Sequence, residues 1–152
     1  MSARAPSGKA KKTTRAKGVD YRSLSEFRFA LRKFLAFSEA AAREAGVSPQ
    51  QHQALLSIKG SPNSELSVQG LSDRLLIQHN SAVELVDRLV QGRLAVRSID
   101  SDDRRRVQIR LTPKSERLLQ RLSAVHLKEL QAIRPALLDL LLQLDQPRDP
   151  IK

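Results

Sequence analysis

The spacing of hydrophobic positions along this chain, read with its cap and break residues, marks out the structural elements. From Asp20 to Ala45, Leu24, Phe27, Leu31, Phe34, Leu35 and Ala41 recur at three and four, while Arg22, Arg28, Arg32 and Lys33 lie largely elsewhere. That spacing predicts a long amphipathic helix, ended by Gly46. Ser48-Pro49-Gln50-Gln51 supplies an N-cap serine, a proline suited to the first helical position and a glutamine for a capping box, so a second helix should run to about Lys59. Gly60-Ser61-Pro62-Asn63 breaks the chain. Ser67 then caps a short helix carrying Val68, Leu71 and Leu75, and after a turn around Ile77 to Asn80 another helix carries Val83, Val86, Leu89 and Val90.

Beyond Gly92, which should close that helix, the period drops to two. Leu94, Val96 and Ser98 are expected to face one side on the way out, and Val107, Ile109 and Leu111 the same side on the way back. Between them lies Asp100-Ser101-Asp102-Asp103-Arg104-Arg105-Arg106, a tip too charged to be core. Two short helices, a tight turn and a basic hairpin describe a winged helix-turn-helix. After Thr112-Pro113 helical spacing returns through Leu118, Leu122, Val125, Leu130, Ile133, Leu137, Leu141 and Leu144. Pro135 should bend or split this segment, giving one helix to about Ile133 and another to about Leu144.

The expected fold is therefore mainly α with a small β-hairpin wing, one subunit over residues 19–146. Its winged helix-turn-helix head spans 48–112, with the wing at 93–112. Helices over 19–46 and 113–146 flank the head and are longer and more apolar than it needs, which predicts packing against a second copy in a homodimer; an intramolecular bundle is the alternative. Residues 1–18 are small, polar and cationic, and read as a disordered basic arm, either a solubilising tail or a source of nonspecific phosphate contacts. Residues 147–152 read as a frayed tail.

Composition narrows the function. The 152 residues carry 27 Lys and Arg against 16 Asp and Glu, a net charge of +11. Six of those eleven charges precede Val19, so the body is more modestly basic. Such a surface suits nucleic acid, because basic side chains displace counterions condensed on phosphates. With no cysteine, disulfides, thiol redox sensing and thiolate metal sites are excluded. No apolar run approaches a membrane span, and no apolar segment makes the N-terminus a secretion signal, so a cytoplasmic protein is expected. His52, His79 and His126 lack paired metal-ligand spacing, and there is neither a nucleophile-base grouping nor a phosphate-binding glycine loop, so no metal, cofactor or enzymatic activity is expected.

The residues that open the second short helix would point at base edges in the major groove, which nominates Gln78, His79, Asn80 and Ser81, with Glu84 and Arg88 one and two turns on. Helix capping by Asn80 and Ser81, and a surface role for His79, are the competing readings. Glu84 would repel phosphate unless it accepts from a cytosine amino group or pairs with Arg88. Ser67, at the start of the preceding helix, is placed as a DNA-backbone contact.

Asp103-Arg104-Arg105 followed after five residues by Leu111-Thr112 resembles the D-x-R-x-x-x-x-x-L-T wing signature of the multiple antibiotic resistance regulator (MarR) family of bacterial transcription factors, and Asp100 to Thr112 fits its wider D-x-x-D-R-R pattern. Ser81 to Leu89 followed by Gly92 resembles the family's recognition helix, and Leu55 to Gly60 its second helix, so the resemblance covers roughly Tyr21 to Leu144. It departs at Glu84, often basic or polar in the family, and at Arg93, where glycine commonly runs straight into leucine.

The resemblance implies a transcriptional regulator, by default a repressor, that binds a pseudo-palindromic site in double-stranded DNA as a homodimer and is nucleoid-associated when bound. It implies Arg105 in the minor groove, Asp103 bracing the tip, and Arg104 and Arg106 on phosphates or on Asp100 and Asp102. It also implies release by a small-molecule effector between the dimerisation helices and the head, where Arg28, Phe34 and His52 are lining candidates, with packing and surface roles as their alternative. Architectural or nonspecific DNA binding, and a winged helix used as a protein-interaction module, are the other two functions consistent with the chain.

Overall fold

The computed structural model describes residues 21–99, 103 and 106–145. The basic arm, the tail, Asp100, Ser101, Asp102, Arg104 and Arg105 lie outside them. Five helices and a small sheet follow in the order α1 (Tyr21–Glu44), α2 (Pro49–Lys59), a 3-10 turn (Pro62–Ser64), β1 (Glu65–Leu66), α3 (Val68–Leu75), α4 (His79–Gln91), β2 (Ala95–Ile99), β3 (Val107–Leu111) and α5 (Pro113–Asp145). The mainly helical winged helix-turn-helix expected from the sequence is the fold observed. No helix among the described residues is long and apolar enough to cross a membrane.

Capping chemistry sets the boundaries. Ser48 accepts from the Gln51 amide while Gln51 Oε1 accepts from the Ser48 amide, at 3.1 and 2.9 Å, a complete capping box with Pro49 in the first turn. Three helices end alike, with one residue in the left-handed region and the next amide returning to a carbonyl five residues back. Gly46 (φ 83°) does this for α1, with Val47 N–H to Ala42 C=O. Leu76 (φ 54°) ends α3, and the Ile77 amide reaches Ser72 C=O. Arg93 (φ 56°) ends α4, and the Leu94 amide reaches Leu89 C=O at 2.8 Å. Gly92 closes α4 as expected, as its C-cap at φ −75°, and the arginine after it takes the left-handed position.

That ending also corrects the wing. Paired residues of β2 and β3 are Ala95 and Leu111, Arg97 and Ile109, Ile99 and Val107, so these share one face, and Val96 sits opposite Arg110 on the other. The returning strand keeps the expected face, but the outgoing one is shifted by one residue. Leu94 is buried by the helix exit, not by strand alternation, so Leu94 and Ala95 are buried in succession while Val96 is half exposed. The two-residue strand β1, too short for any periodic signal, adds to the free edge of β3, giving the antiparallel order β1-β3-β2. Glu65 and Arg110 face each other across it as an ion pair.

The core lies in the head, where Leu55, Ile58, Leu71, Leu85, Val86, Leu89 and Ile109 are fully buried, and α5 joins it through Leu118, Leu119 and Leu122. A Cβ at Gly70 would stand 2.7 Å from Leu66 Cδ1, so a larger residue there would have to push that side chain aside. Beyond the head, α1 and α5 pack antiparallel as a stem, with Ser23 Oγ donating to Gln143 Oε1 at 3.3 Å near one end and Ser38 meeting His126 nearer the head. The expected split at Pro135 does not occur: α5 runs unbroken to Asp145. The proline removes one hydrogen bond, while packing on α1 holds the helix on both sides of it.

Candidate nucleic-acid interface

Burial along α4 divides it into an inner face of Ala82, Leu85, Val86 and Leu89 and an outer one of His79, Asn80, Ser81, Glu84, Arg88 and Gln91. Successive residues turn by 100°, which puts Asn80, Glu84, Asp87 and Gln91 within about 30° of the middle of the outer face, Asp87 toward one flank, with Ser81 and Arg88 on the other. The N-cap is Gln78, and it makes no side-chain capping bond. Asn80 and Ser81 therefore stand inside the first turn, one and two residues past its start, so capping does not explain their presence. With no acidic residue in that turn, the positive end of the helix is uncompensated.

Two contacts hold α4 against α3. Ser72 Oγ donates to Ile77 C=O at 2.7 Å, fixing the turn between the helices. His79 Nδ1 meets Gln69 Oε1 at 3.1 Å, and Gln69 Nε2 donates to Asp73 Oδ1 at 2.9 Å. Ser67 accepts from the Gly70 amide at 3.0 Å, so its hydroxyl proton remains available to an acceptor outside the helix.

The flanks differ. Asp87 is clasped by Arg97 of β2, which ties the wing stem to α4. Arg88 forms no ion pair with Glu84, the pairing considered from sequence; it lines a shallow groove with Glu39, Arg43 and the Ser48–Pro49 start of α2. At the wing tip Arg106 N–H donates to Asp103 C=O at 2.9 Å, and its guanidinium lies 3.7 Å from the Asp103 carboxylate. Arg106 thus pairs with Asp103, while its other suggested partners, Asp100 and Asp102, lie outside the described residues together with Arg104 and Arg105.

The first turn of α5 closes the base of the wing. Thr112 Oγ1 donates to Arg93 C=O at 2.8 Å, Ser115 Oγ to Leu94 C=O at 2.6 Å, and Lys114 Nζ to Gly92 C=O at 3.1 Å. Three successive carbonyls at the exit of α4 are satisfied from one helical turn of the stem.

Phe34 and His52, two of the three residues considered for an effector, meet through His126. The ring of His126 lies 6.0 Å from Phe34, 5.7 Å from Phe37 and 4.8 Å from His52. Its Nδ1 donates to Leu122 C=O at 2.5 Å, which leaves Nε2 to accept from the Ser38 hydroxyl at 2.7 Å in the neutral ring. Burial, helped by the neighbouring His126, holds His52 below the ordinary histidine value. Arg28 is exposed on α1, six residues and about 240° around the helix from Phe34, so it presents a different face. Histidines that look dispersed in the sequence thus converge in part, although no group of three or more potential metal ligands gathers among the described residues.

The sequence alone does not expose the Gln69, Arg97 and Ser115 contacts, each of which joins two elements. Only Ser115, three residues past a cap-like threonine, carries a local hint.

The MarR family model matches residues 45–106, from the end of α1 through the wing tip. No curated protein is similar enough to match. Among solved structures the chain is similar to MepR, a transcription regulator of the Staphylococcus aureus multidrug efflux pump MepA, with a TM-score of 0.65 at 17% identity over 78% of this chain and 84% of that one. A MepR mutant bound to an oligodeoxyribonucleotide matches with a TM-score of 0.61 at 16% identity over 76% and 84%. A MarR family protein from Bacillus stearothermophilus matches with a TM-score of 0.60 at 25% identity over 76% and 82%. BpsR of Bordetella bronchiseptica, whose DNA binding is regulated by 6-hydroxynicotinic acid, matches with a TM-score of 0.57 at 20% identity over 86% of this chain and all of that one. The MarR family model thus matches the head of this chain, and the subunit as a whole shares the winged-helix fold of solved MarR family structures.

Proposed function

We propose that this protein is a sequence-specific DNA-binding transcriptional regulator, a repressor, that grips a pseudo-palindromic site as a cytoplasmic homodimer. The observation that carries this reading is the outer face of α4. Polar side chains able to bond base edges project from a helix whose positive end is uncompensated, and a wing rooted by Arg97 and Asp87 stands beside it. The MepR relative bound to an oligodeoxyribonucleotide supports it. In this reading Gln78, His79, Asn80, Ser81, Glu84 and Arg88 meet the major groove, and Ser67 meets the backbone. The wing residues Asp103, Arg104, Arg105 and Arg106 serve the adjacent minor groove and its phosphates, with Arg105 inserted.

A second copy accounts for the stem. Leu24, Phe29, Leu31 and Leu35 of α1, and Leu127, Leu138, Leu141 and Leu142 of α5, are between 41% and 62% exposed, a run of apolar surface that a lone subunit leaves wet. Two heads on one face of a duplex are then about 34 Å apart. A small-molecule effector that binds the dimer with wrongly spaced heads would release it, and the Phe34, His52 and His126 cluster between stem and head is the place for that coupling. BpsR and its 6-hydroxynicotinic acid support this part by analogy.

The test is footprinting on the DNA upstream of the protein's own gene, and genome-wide, with the full chain and with Arg105→Ala. A symmetric protected site, lost or strongly weakened in the variant, is expected. Equal affinity for scrambled DNA with a steep salt slope would instead favour an architectural role built on the basic arm, and an unaffected Arg105→Ala variant would favour a protein-interaction module.

A further inference from the structure

Three side chains on the head form a relay whose chemistry has one direction. Asp73 can only accept, so the Gln69 amide must turn its Nε2 toward the Asp73 carboxylate, 2.9 Å away. That leaves Gln69 Oε1, again an acceptor, facing His79 Nδ1 at 3.1 Å. An oxygen there accepts only if Nδ1 bears the proton. In the neutral ring, Nε2 is then an unprotonated lone pair, and His79 is the first residue of α4, exposed at its N-terminal end.

We propose that Asp73 and Gln69 are positioning residues that set the tautomer of His79, so that its Nε2 accepts a hydrogen bond from the exocyclic amino group of a cytosine or adenine in the major groove. The inference deepens the DNA-binding reading and rests on it. Guanine and thymine offer only acceptors at that edge, so an acceptor held at Nε2 rejects them, whereas a ring free to exchange tautomers would accept all four bases. Specificity at this position is therefore written in α3, by two residues that need not touch DNA.

Two measurements on the full-length protein test it. The first is ring-nitrogen NMR of the free protein at a pH where the imidazole is neutral. His79 is expected as the Nδ1–H tautomer, with Gln69→Ala and Asp73→Asn moving it toward Nε2–H; Asn in place of Asp73 can donate to Gln69 and let its amide reverse. A wild-type His79 already in the Nε2–H form overturns the proposal.

The second is binding to the footprinted site with every base pair inverted in turn. Inverting one pair per half-site should weaken wild-type binding about tenfold. His79→Ala should abolish that preference, and Gln69→Ala and Asp73→Asn should reduce it at the same pair, with the charge-neutral Gln69→Ala leaving affinity for unrelated DNA within about twofold. Thermal unfolding of each variant confirms an intact fold. A wild-type footprint in which no pair responds to His79→Ala, or in which the responding pair can be inverted without loss, overturns this inference and leaves the regulator reading standing. Absence of any wild-type footprint overturns both.

Discussion

Replacing Ser115 by alanine tests how the stem is fastened to the DNA-facing head. Ser115 is fully buried; its hydroxyl donates to Leu94 C=O at 2.6 Å and accepts from the Thr112 amide at 3.0 Å, the return bond of a capping box whose cap is Thr112, so it ties the start of α5 to the exit of α4. Losing that return bond costs up to about 1 kcal/mol, and leaving a buried carbonyl short of its donor costs about 1–3 kcal/mol. The second cost falls toward its lower end here. Thr112 N–H and Leu94 C=O also bond each other at 3.3 Å and keep that bond in the variant. The expected loss is about 2 kcal/mol. Urea unfolding followed by circular dichroism, at one fixed protein concentration, should show a lower midpoint with an unchanged slope. Lys114→Ala is the internal control, because its exposed amine bonds Gly92 C=O at the surface; it should cost less than about 0.5 kcal/mol. Equal losses in the two variants, or a Ser115→Ala loss under about 0.5 kcal/mol, would refute the buried fastening.

Other consequences are equally direct. Leu76 holds φ 54° while 92% exposed, so Leu76→Gly relieves a left-handed strain of about 1–2 kcal/mol against an entropic cost of about 0.5–1 kcal/mol; a net gain in urea midpoint is expected, and a drop would mean that Leu76 packs on something. His52 is depressed below the ordinary 6.5 in the folded state by burial and by His126, so the unfolded chain binds the proton first. Stability is then complete above about pH 6.5 and declines below it, by up to about 1.4 kcal/mol per pH unit until the folded-state value is passed. A pH series on His52→Gln should lack that component, and identical profiles for the two proteins would contradict the assignment. Asp87 and Arg97 are both partly exposed, so a double-mutant cycle to alanine should give a coupling of about 0.5–1 kcal/mol, with zero coupling showing that the wing stem is held by backbone pairing alone.

Local chemistry was enough to read the helices of the head. The Ser48 capping box, the Ser67 cap and the hydrophobic spacing of α3 and α4 act within a few residues, and each places its element where it is found. The same holds for the candidate readers on α4, whose exposed residues fall opposite the apolar stripe that Leu85, Val86 and Leu89 dictate. What failed was register and continuity. The face of β2 depends on where the left-handed residue falls at the helix exit, and Arg93 occupies that position although Gly92 stands beside it. The continuity of α5 through Pro135 depends on α1, which is far away in sequence.

The amino-acid order alone determined the kind of fold, the elements of the head and the polar outer surface of α4, because periodicity and capping are properties of neighbours along the chain. Tertiary structure alone decided which side chains meet: Asp87 with Arg97, His79 with Gln69, His52 with His126, and Ser115 with the exit of α4. Each of these pairs spans at least ten residues, and in each the partner is selected by the packing of apolar faces that carry no code for the polar groups they bring together.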